Sequence, residues 1–189
     1  KKKAQEVNNE FCHIYSSKLS GGIWQEPEQV KLFADTINVG QPALSKDGKI
    51  LYVSADAKDG FGGKDLYYFT KTDTGWYGPS NAGNYVNTSG DEMFPWLDEK
   101  SNLYFASNGL PGMGGLDIFK AIKGKNIWKE AKNLQSPINS GADDFGLIVE
   151  KYKPKNLDDT ILFAGYFTSA RSGGKGNDDI YRFEEKWVN

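Results

Sequence analysis

Three tryptophans recur at a fixed interval: Trp24, Trp76 and Trp128 lie 52 residues apart. Nine residues before each stands another aromatic, Tyr15, Tyr67 and Phe119, at the same interval. The tripeptides His13-Ile14-Tyr15, Asp65-Leu66-Tyr67, Asp117-Ile118-Phe119 and Asp179-Ile180-Tyr181 therefore hold one equivalent position. Upstream of it, Leu51-Tyr52-Val53-Ser54 returns as Leu103-Tyr104-Phe105-Ala106 after 52 residues, and as Ile161-Leu162-Phe163-Ala164 after 58 more. Downstream, Val86-Asn87-Thr88 returns as Ile138-Asn139-Ser140, with Ile37-Asn38-Val39 as a weaker earlier copy. A period of this length marks one supersecondary unit used repeatedly, each copy burying its apolar face against the next.

Each unit reads as four strands. In the clearest copy Pro42–Ser45 is a first strand, Lys46-Asp47-Gly48 a turn, and Lys49–Ser54 a second strand. The glycine-rich loop 59–63 leads into a third strand, Asp65–Thr70, and Asp73-Thr74-Gly75 turns the chain into a fourth that opens at Trp76. Glycine at 22 of 189 residues and aromatics at 14% suit short strands joined by tight loops. No window places apolar residues at i, i+3, i+4 and i+7 over three turns, so helical repeats are set aside. Four-stranded units of about 40–50 residues predict an all-β fold, a β-propeller of four-stranded blades. The expected division of this single propeller fragment, 1–189, is a partial blade 11–40, blades 41–93 and 94–145, and a partial blade 146–189. That is a little over three blades, against about four to eight in a closed ring. The chain is therefore expected to be part of a five- or six-bladed ring.

Composition removes several functions. A formal charge of −2 and a pI near 5.5 leave no basic footprint, so no nucleic-acid partner is expected. No apolar run is long enough for a membrane-spanning helix. One histidine, His13, and one cysteine, Cys12, cannot make a multi-imidazole metal site or an internal disulfide. The glycine blocks 60–63, 112–115 and 173–176 lack the Gly-Lys-Ser/Thr of a phosphate loop. The segment Asp56-Ala57-Lys58-Asp59-Gly60 lacks the alternating acids of a calcium loop. No cofactor and no metal are expected.

The run Pro42-Ala43-Leu44-Ser45-Lys46-Asp47-Gly48-Lys49-Ile50-Leu51-Tyr52 resembles the strand pair of WD40-like propeller repeats of the TolB type. Gly112-Met113-Gly114-Gly115-Leu116-Asp117-Ile118-Phe119, followed by Trp128, Asn133-Leu134 and Ile138-Asn139-Ser140, resembles the version in OmpA-family envelope proteins of Bacteroidetes, type IX secretion components among them. Two departures stand out. The last unit has a longer first turn, Lys151–Asp159, and four residues between its Gly-Gly and Asp179; the first unit has His13 at the Asp position and no Gly-Gly. The resemblance implies a periplasmic, outer-membrane-associated, non-catalytic scaffold. Its partners would be other cell-envelope proteins, with peptidoglycan reached through domains outside this chain.

Two sets of residues are candidates for more than scaffolding. The acidic pairs Asp91-Glu92 and Asp143-Asp144 lie 52 apart, ahead of each unit's first strand. Close carboxylates can split their pKa values and serve a glycoside hydrolase as acid and base. Repetition in each unit instead favours turn capping, an interaction surface or the lining of a central channel. Trp24, Trp76 and Trp128 could form a glycan- or peptidoglycan-binding platform, although one per unit at fixed register favours packing. Asp65, Asp117 and Asp179 are read as structural positions of the third strand. The leading function is protein interaction in the cell envelope. Glycan binding is the alternative, and a propeller hydrolase the remote third.

Overall fold

A computed structural model of the protein describes residues 10–125, 128–150 and 161–186. The long turn expected at 151–159 lies outside the described residues. Within them the protein is all-β: fifteen strands, every pairing antiparallel, and no helix.

The first unit is a nested hairpin. Strand β1 (Tyr15–Ser16) pairs with β4 (Glu28–Gln29), and β2 (Leu19–Ser20) with β3 (Ile23–Trp24). The first four-stranded sheet follows in simple order: β5 (Val39–Leu44), β6 (Ile50–Ala55), β7 (Asp65–Thr72) and β8 (Gly75–Asn81). The second contains β9 (Glu92–Leu97), β10 (Leu103–Ser107), β11 (Asp117–Ala121) and β12 (Lys132–Asn133). A three-stranded sheet comprises β13 (Asp144–Glu150), β14 (Ile161–Ser169) and β15 (Asp179–Lys186). The sheets open at Val39, Glu92 and Asp144, earlier than the boundaries read from the sequence. Glu92 and Met93 therefore belong to the second sheet and not to the unit 41–93.

The sequence repeat is a repeat of register. Third and fourth strands pair Tyr15 with Gln29, Tyr67 with Asn81, and Phe119 with Asn133. Local chemistry sets the turns. Between β5 and β6, Asp47 Oδ1 accepts from Ser45 Oγ at 2.6 Å and from the Lys49 N–H at 3.1 Å, while Gly48 takes φ 67°. Between β9 and β10, Asp98 Oδ1 accepts from the Lys100 and Asn102 N–H groups, and Ser101 takes φ 61°. In both turns an aspartate side chain imitates a backbone acceptor.

The sheets stack in chain order with an apolar layer between each pair. Val39, Leu51, Val53, Tyr67 and Phe69 meet Ile14, Leu32, Phe33 and Trp76. The opposite face of that sheet, with Tyr52 and Leu66, meets Leu103, Phe105, Phe119 and Trp128 of the second sheet. Tyr104 and Ile118 then meet Leu147 and Phe167, with Tyr181 and Phe183 packed alongside. Alternate residues of β6 and β10 serve opposite layers, so both middle strands are buried throughout Leu51–Ala55 and Leu103–Ser107. Each such large side chain contributes about 1.5–3 kcal/mol by leaving water.

The first strands β5, β9 and β13 are neighbours across the stack. Each carries a bulge with one left-handed residue: Gln41 (φ 54°), Phe94 (φ 55°) and Gly146 (φ 66°). Left-handed backbone costs a residue as bulky as Phe94 about 1–3 kcal/mol. Packing offsets that cost: Phe94 stacks on Phe145 with ring centroids 4.6 Å apart, and its N–H donates to Gln41 Oε1 at 3.1 Å.

Candidate functional site

The repeated aspartates organise the glycine loops. Asp65 Oδ2 accepts from the Phe61 N–H, Asp117 Oδ2 from the Met113 and Gly114 N–H groups, and Asp179 Oδ2 from the Lys175 and Gly176 N–H groups. Wrapping backbone this closely around a carboxylate leaves no room for a side chain at the glycine five residues earlier. A Cβ at Gly60, Gly112 or Gly174 would stand 2.2, 1.9 or 1.9 Å from the matching Oδ2. The spacing departure of the last unit is partial, because Gly174 keeps the offset of Gly60 and Gly112 from its aspartate while Asn177 stands where the other units have Gly63 and Gly115. Asp65 and Asp117 are buried, and one oxygen of each, Oδ1, has no partner among the described residues. Asp179 is only half-buried, at the outer edge of the last sheet.

The acidic pairs hold sheet to sheet. Asp91 Oδ1 accepts the N–H of Lys64 at 2.9 Å, and Asp143 Oδ1 that of Leu116 at 2.8 Å. Each bond joins the turn before one sheet to the residue that leads into the third strand of the sheet before it. Gly63 and Gly115 provide the clearance, since a Cβ there would meet the same carboxylates at 2.5 and 2.1 Å. The second member of each pair is fully buried and points into its own turn. Glu92 accepts from the Thr88 N–H, Thr88 Oγ1 and Ser107 Oγ at 2.8, 2.7 and 2.7 Å. Asp144 accepts from Ser140 and forms an ion pair with Arg171 at 2.7 Å. Burial pushes the Glu92 carboxyl above its ordinary range, opposed by the bonds from Ser107 and Thr88. With no exposed surface, Glu92 and Asp144 can neither line an open channel nor meet a sugar as acid and base. Asp143 is exposed and Asp91 half-exposed.

Two further elements complete this latch: the asparagines that the repeat aligns, Asn87 and Asn139, and Arg171. Asn87 clamps Leu66 by accepting its N–H and donating to its carbonyl, both at 2.9 Å, and Asn139 does the same to Ile118. Both asparagines lie 22 residues after the unit's aspartate, a spacing that could have revealed them. Arg171 lies over the stacked rings of Phe167 and Tyr181, 4.9 and 5.0 Å from their centroids, and also donates to the Pro137 carbonyl.

The tryptophans differ by neighbour. Trp128 is buried against Tyr52, Trp76 is half-buried against the layer beneath its sheet, and Trp24 is 68% exposed. Trp24, Trp76 and Trp128 therefore do not form a row of open indoles for a sugar to lie on. Exposed large apolar side chains occur on every sheet, Leu44, Phe61, Tyr77, Tyr85, Met113 and Ile122 among them on the two full sheets. Tyr15, Leu19, Ile23 and Trp24 lie open on the first unit, and Ile148 and Ile180 on the last sheet. Ile180 is 77% exposed, whereas its equivalents Leu66 and Ile118 are buried by the sheet that follows them. Clefts open between the sheets, one of about 390 Å³ bounded by Tyr85, Leu110, Phe119 and Ala131. Another of about 310 Å³ lies along the bulges at Gln41, Phe94 and Gly146. A third, of about 370 Å³, is apolar and is bounded by Tyr104, Leu134, Ile138, Leu147, Phe163 and Phe183. Among the described residues no group of three His, Cys, Asp or Glu side chains could hold a metal ion.

Fold and site together define an all-β protein of repeated antiparallel sheets latched to one another by carboxylates. Compared with known families and with characterised proteins, the chain matches no family model and no curated protein.

Proposed function

We propose that this chain is a segment of a β-propeller that acts as a non-catalytic protein-interaction scaffold in the bacterial cell envelope. The supporting observation is the exposed apolar cluster of the first unit, where Leu19 pairs with Trp24 across β2 and β3 and Tyr15 and Ile23 also lie open. Open apolar side chains grouped on paired strands mark an interaction site. The four-strand units, and the aspartates absorbed into latches between them, fit a scaffold whose polar residues hold its own architecture. The glycan-binding alternative is weaker, because only Trp24 of the three repeated tryptophans is open. The resemblance to OmpA-family propellers supports the placement at the periplasmic side of the outer membrane. The test is photo-crosslinking in intact bacterial cells from residues introduced at positions 24 and 180 of the natural protein. Capture of outer-membrane-associated proteins is expected. Capture confined to cytosolic proteins overturns the reading.

A further inference from the structure

Each boundary between sheets has a seat over one third-strand ring, Tyr67, Phe119 or Tyr181, two residues after the unit's aspartate. At the first boundary Phe33 stands edge-on to Tyr67 with centroids 5.2 Å apart. At the third, the Arg171 guanidinium stands 5.0 Å from the Tyr181 centroid, over a ring pair completed by Phe167, and donates to the Pro137 and Ile138 carbonyls and to Asp144 Oδ1. The middle boundary keeps the parts of that third seat. Phe105 and Phe119 stack at 6.0 Å as Phe167 and Tyr181 do at 5.8 Å, and Tyr85, Val86 and Glu92 lie 52 residues before Pro137, Ile138 and Asp144. What differs is the residue that reaches in. Ser107 and Ser169 face Asp117 and Asp179 across the ladder, and two residues later stand Gly109 and Arg171. A Cβ at Gly109 would meet Thr88 Oγ1 at 1.8 Å, so no side chain projects there, and the 390 Å³ cleft opens between Tyr85, Leu110 and Phe119. The two sheets that form this boundary each have four paired strands.

We infer that this cleft is a binding site for a guanidinium group. The other two boundaries each hold a different group over the ring, and the residue behind the seat decides which. Val39, Glu92 and Asp144 are equivalent, because their N–H groups donate to the carbonyls of Cys12, Lys64 and Leu116. Valine accompanies a phenyl ring at the first boundary, and aspartate accompanies a guanidinium at the third. Glu92 places the middle boundary with the third, as a buried carboxylate with no cation paired to it among the described residues. Asp144 is equally buried and is still reached by Arg171. Ser107 Oγ donates to Glu92 where Ser169 Oγ accepts from Arg171 Nε, so turning one hydroxyl converts the first arrangement into the second. Glu130 adds a carboxylate at the rim, without an ion pair among the described residues. A planar cation lying on an aromatic face and forked onto carbonyls and a carboxylate is guanidinium chemistry, not ammonium chemistry. The group belongs to an arginine of a polypeptide or to a small guanidino compound, which the experiment separates. The inference does not depend on placement in the cell envelope.

The probe is N-acetyl-arginine amide, titrated into the 189-residue chain by two-dimensional NMR beside free arginine and N-acetyl-citrulline amide, the uncharged isostere. Saturable shifts centred on Tyr85, Val86, Phe119 and residues 107–110 are expected at millimolar ligand, with the citrulline compound bound about tenfold or more weakly. Glu92→Gln is expected to weaken binding by about tenfold. Glu130→Gln, on the exposed rim, is expected to weaken it by a smaller factor and serves where the buried variant fails to fold. Tighter binding of the amide than of free arginine assigns the site to a polypeptide arginine; free arginine bound as tightly or more tightly assigns it to a small guanidino compound. Absence of a saturable shift, equal binding of the citrulline compound, or affinity unchanged in both variants overturns the inference.

Discussion

Asp91 Oδ1 accepts the backbone N–H of Lys64 at 2.9 Å, joining residues 27 apart across a sheet boundary. Asp143 and Leu116 repeat the contact at 2.8 Å, and Asn38 Oδ1 makes it to the Cys12 N–H at 3.0 Å. Two carboxylates and one amide thus fill one role, so the geometry requires an acceptor oxygen and not a charge. Around the first latch the partners are exchanged as well. The Asn38 N–H donates to Asp56 Oδ1, and the Asp91 N–H donates to Asn108 Oδ1.

Asp91→Asn is therefore expected to leave stability within about 0.5 kcal/mol, and Asp91→Ala to lower it by about 1–2 kcal/mol, the usual cost of a lost hydrogen bond with its donor left unpaired. Urea midpoints at neutral pH measure both. Equal losses for the two variants would show that charge carries the contact.

Gly112→Ala tests the cradle around Asp117. The new methyl would lie 1.9 Å from Asp117 Oδ2, a buried group that cannot move aside without losing the Met113 and Gly114 N–H bonds. A loss of about 1–3 kcal/mol is expected. Gly141→Ala is the control, since nothing lies within 4 Å of a Cβ there, and it should be nearly neutral.

The 52-residue interval made the unit legible because equivalent side chains enter equivalent layers, and the all-β class followed from alternation and turn residues. Strand starts were less legible. Val39, Glu92 and Asp144 open their sheets ahead of the apolar runs, their N–H groups donating to the backbone carbonyls of Cys12, Lys64 and Leu116. The bulges at Gln41, Phe94 and Gly146 were illegible, for three unlike residues share one backbone conformation that packing imposes. Exposure of the tryptophans was also beyond the repeat pattern. Identical positions are buried or open according to whether another sheet lies beneath them.

Trp128 and Trp24 therefore make a contrasting pair. Trp128→Ala removes an indole from the layer shared with Tyr52 and Leu103 and is expected to cost about 3–5 kcal/mol. Trp24→Ala, at an exposed position, is expected to change stability by less than about 0.5 kcal/mol. Thermal and urea unfolding distinguish the two directly. A large loss at Trp24 would mean that its ring is covered in solution.

Arg171→Ala leaves Asp144 as a buried carboxylate with its cation removed. Such a loss costs about 3–5 kcal/mol, far beyond the value of an exposed pair. Arg171→Lys is expected to fall between alanine and the parent chain, keeping the charge but losing the planar contacts with Phe167 and Tyr181 and the fork that also reaches Pro137. If lysine is as damaging as alanine, the rings and carbonyls outweigh the charge.

Glu92 predicts a dependence on pH whose direction is set by its surroundings. In the unfolded chain its carboxyl has an ordinary value near 4.5; in the folded protein burial raises it, and hydrogen bonds from Ser107 and Thr88 only partly oppose that rise. The folded state therefore holds this proton to higher pH than the unfolded state does. Its contribution to stability is fully present below about pH 4.5 and is lost as pH rises through the raised folded value. Asp47 and Glu184 have lowered values and act in the opposite sense, so the total profile mixes both. The difference between the parent chain and Glu92→Gln isolates the one group. Glutamine keeps an acceptor for the Thr88 and Ser107 hydroxyls but presents an amide NH2 to the Thr88 N–H, so the variant is expected to be less stable overall. The informative quantity is the slope. Urea midpoints measured from pH 4 to 7 should show the parent losing stability relative to Glu92→Gln just above pH 4.5, then running parallel to it once Glu92 is ionised in both states. Parallel profiles across the whole range would mean that Glu92 titrates alike in the folded and unfolded chains, and that the bonds from Thr88 and Ser107 fully offset its burial.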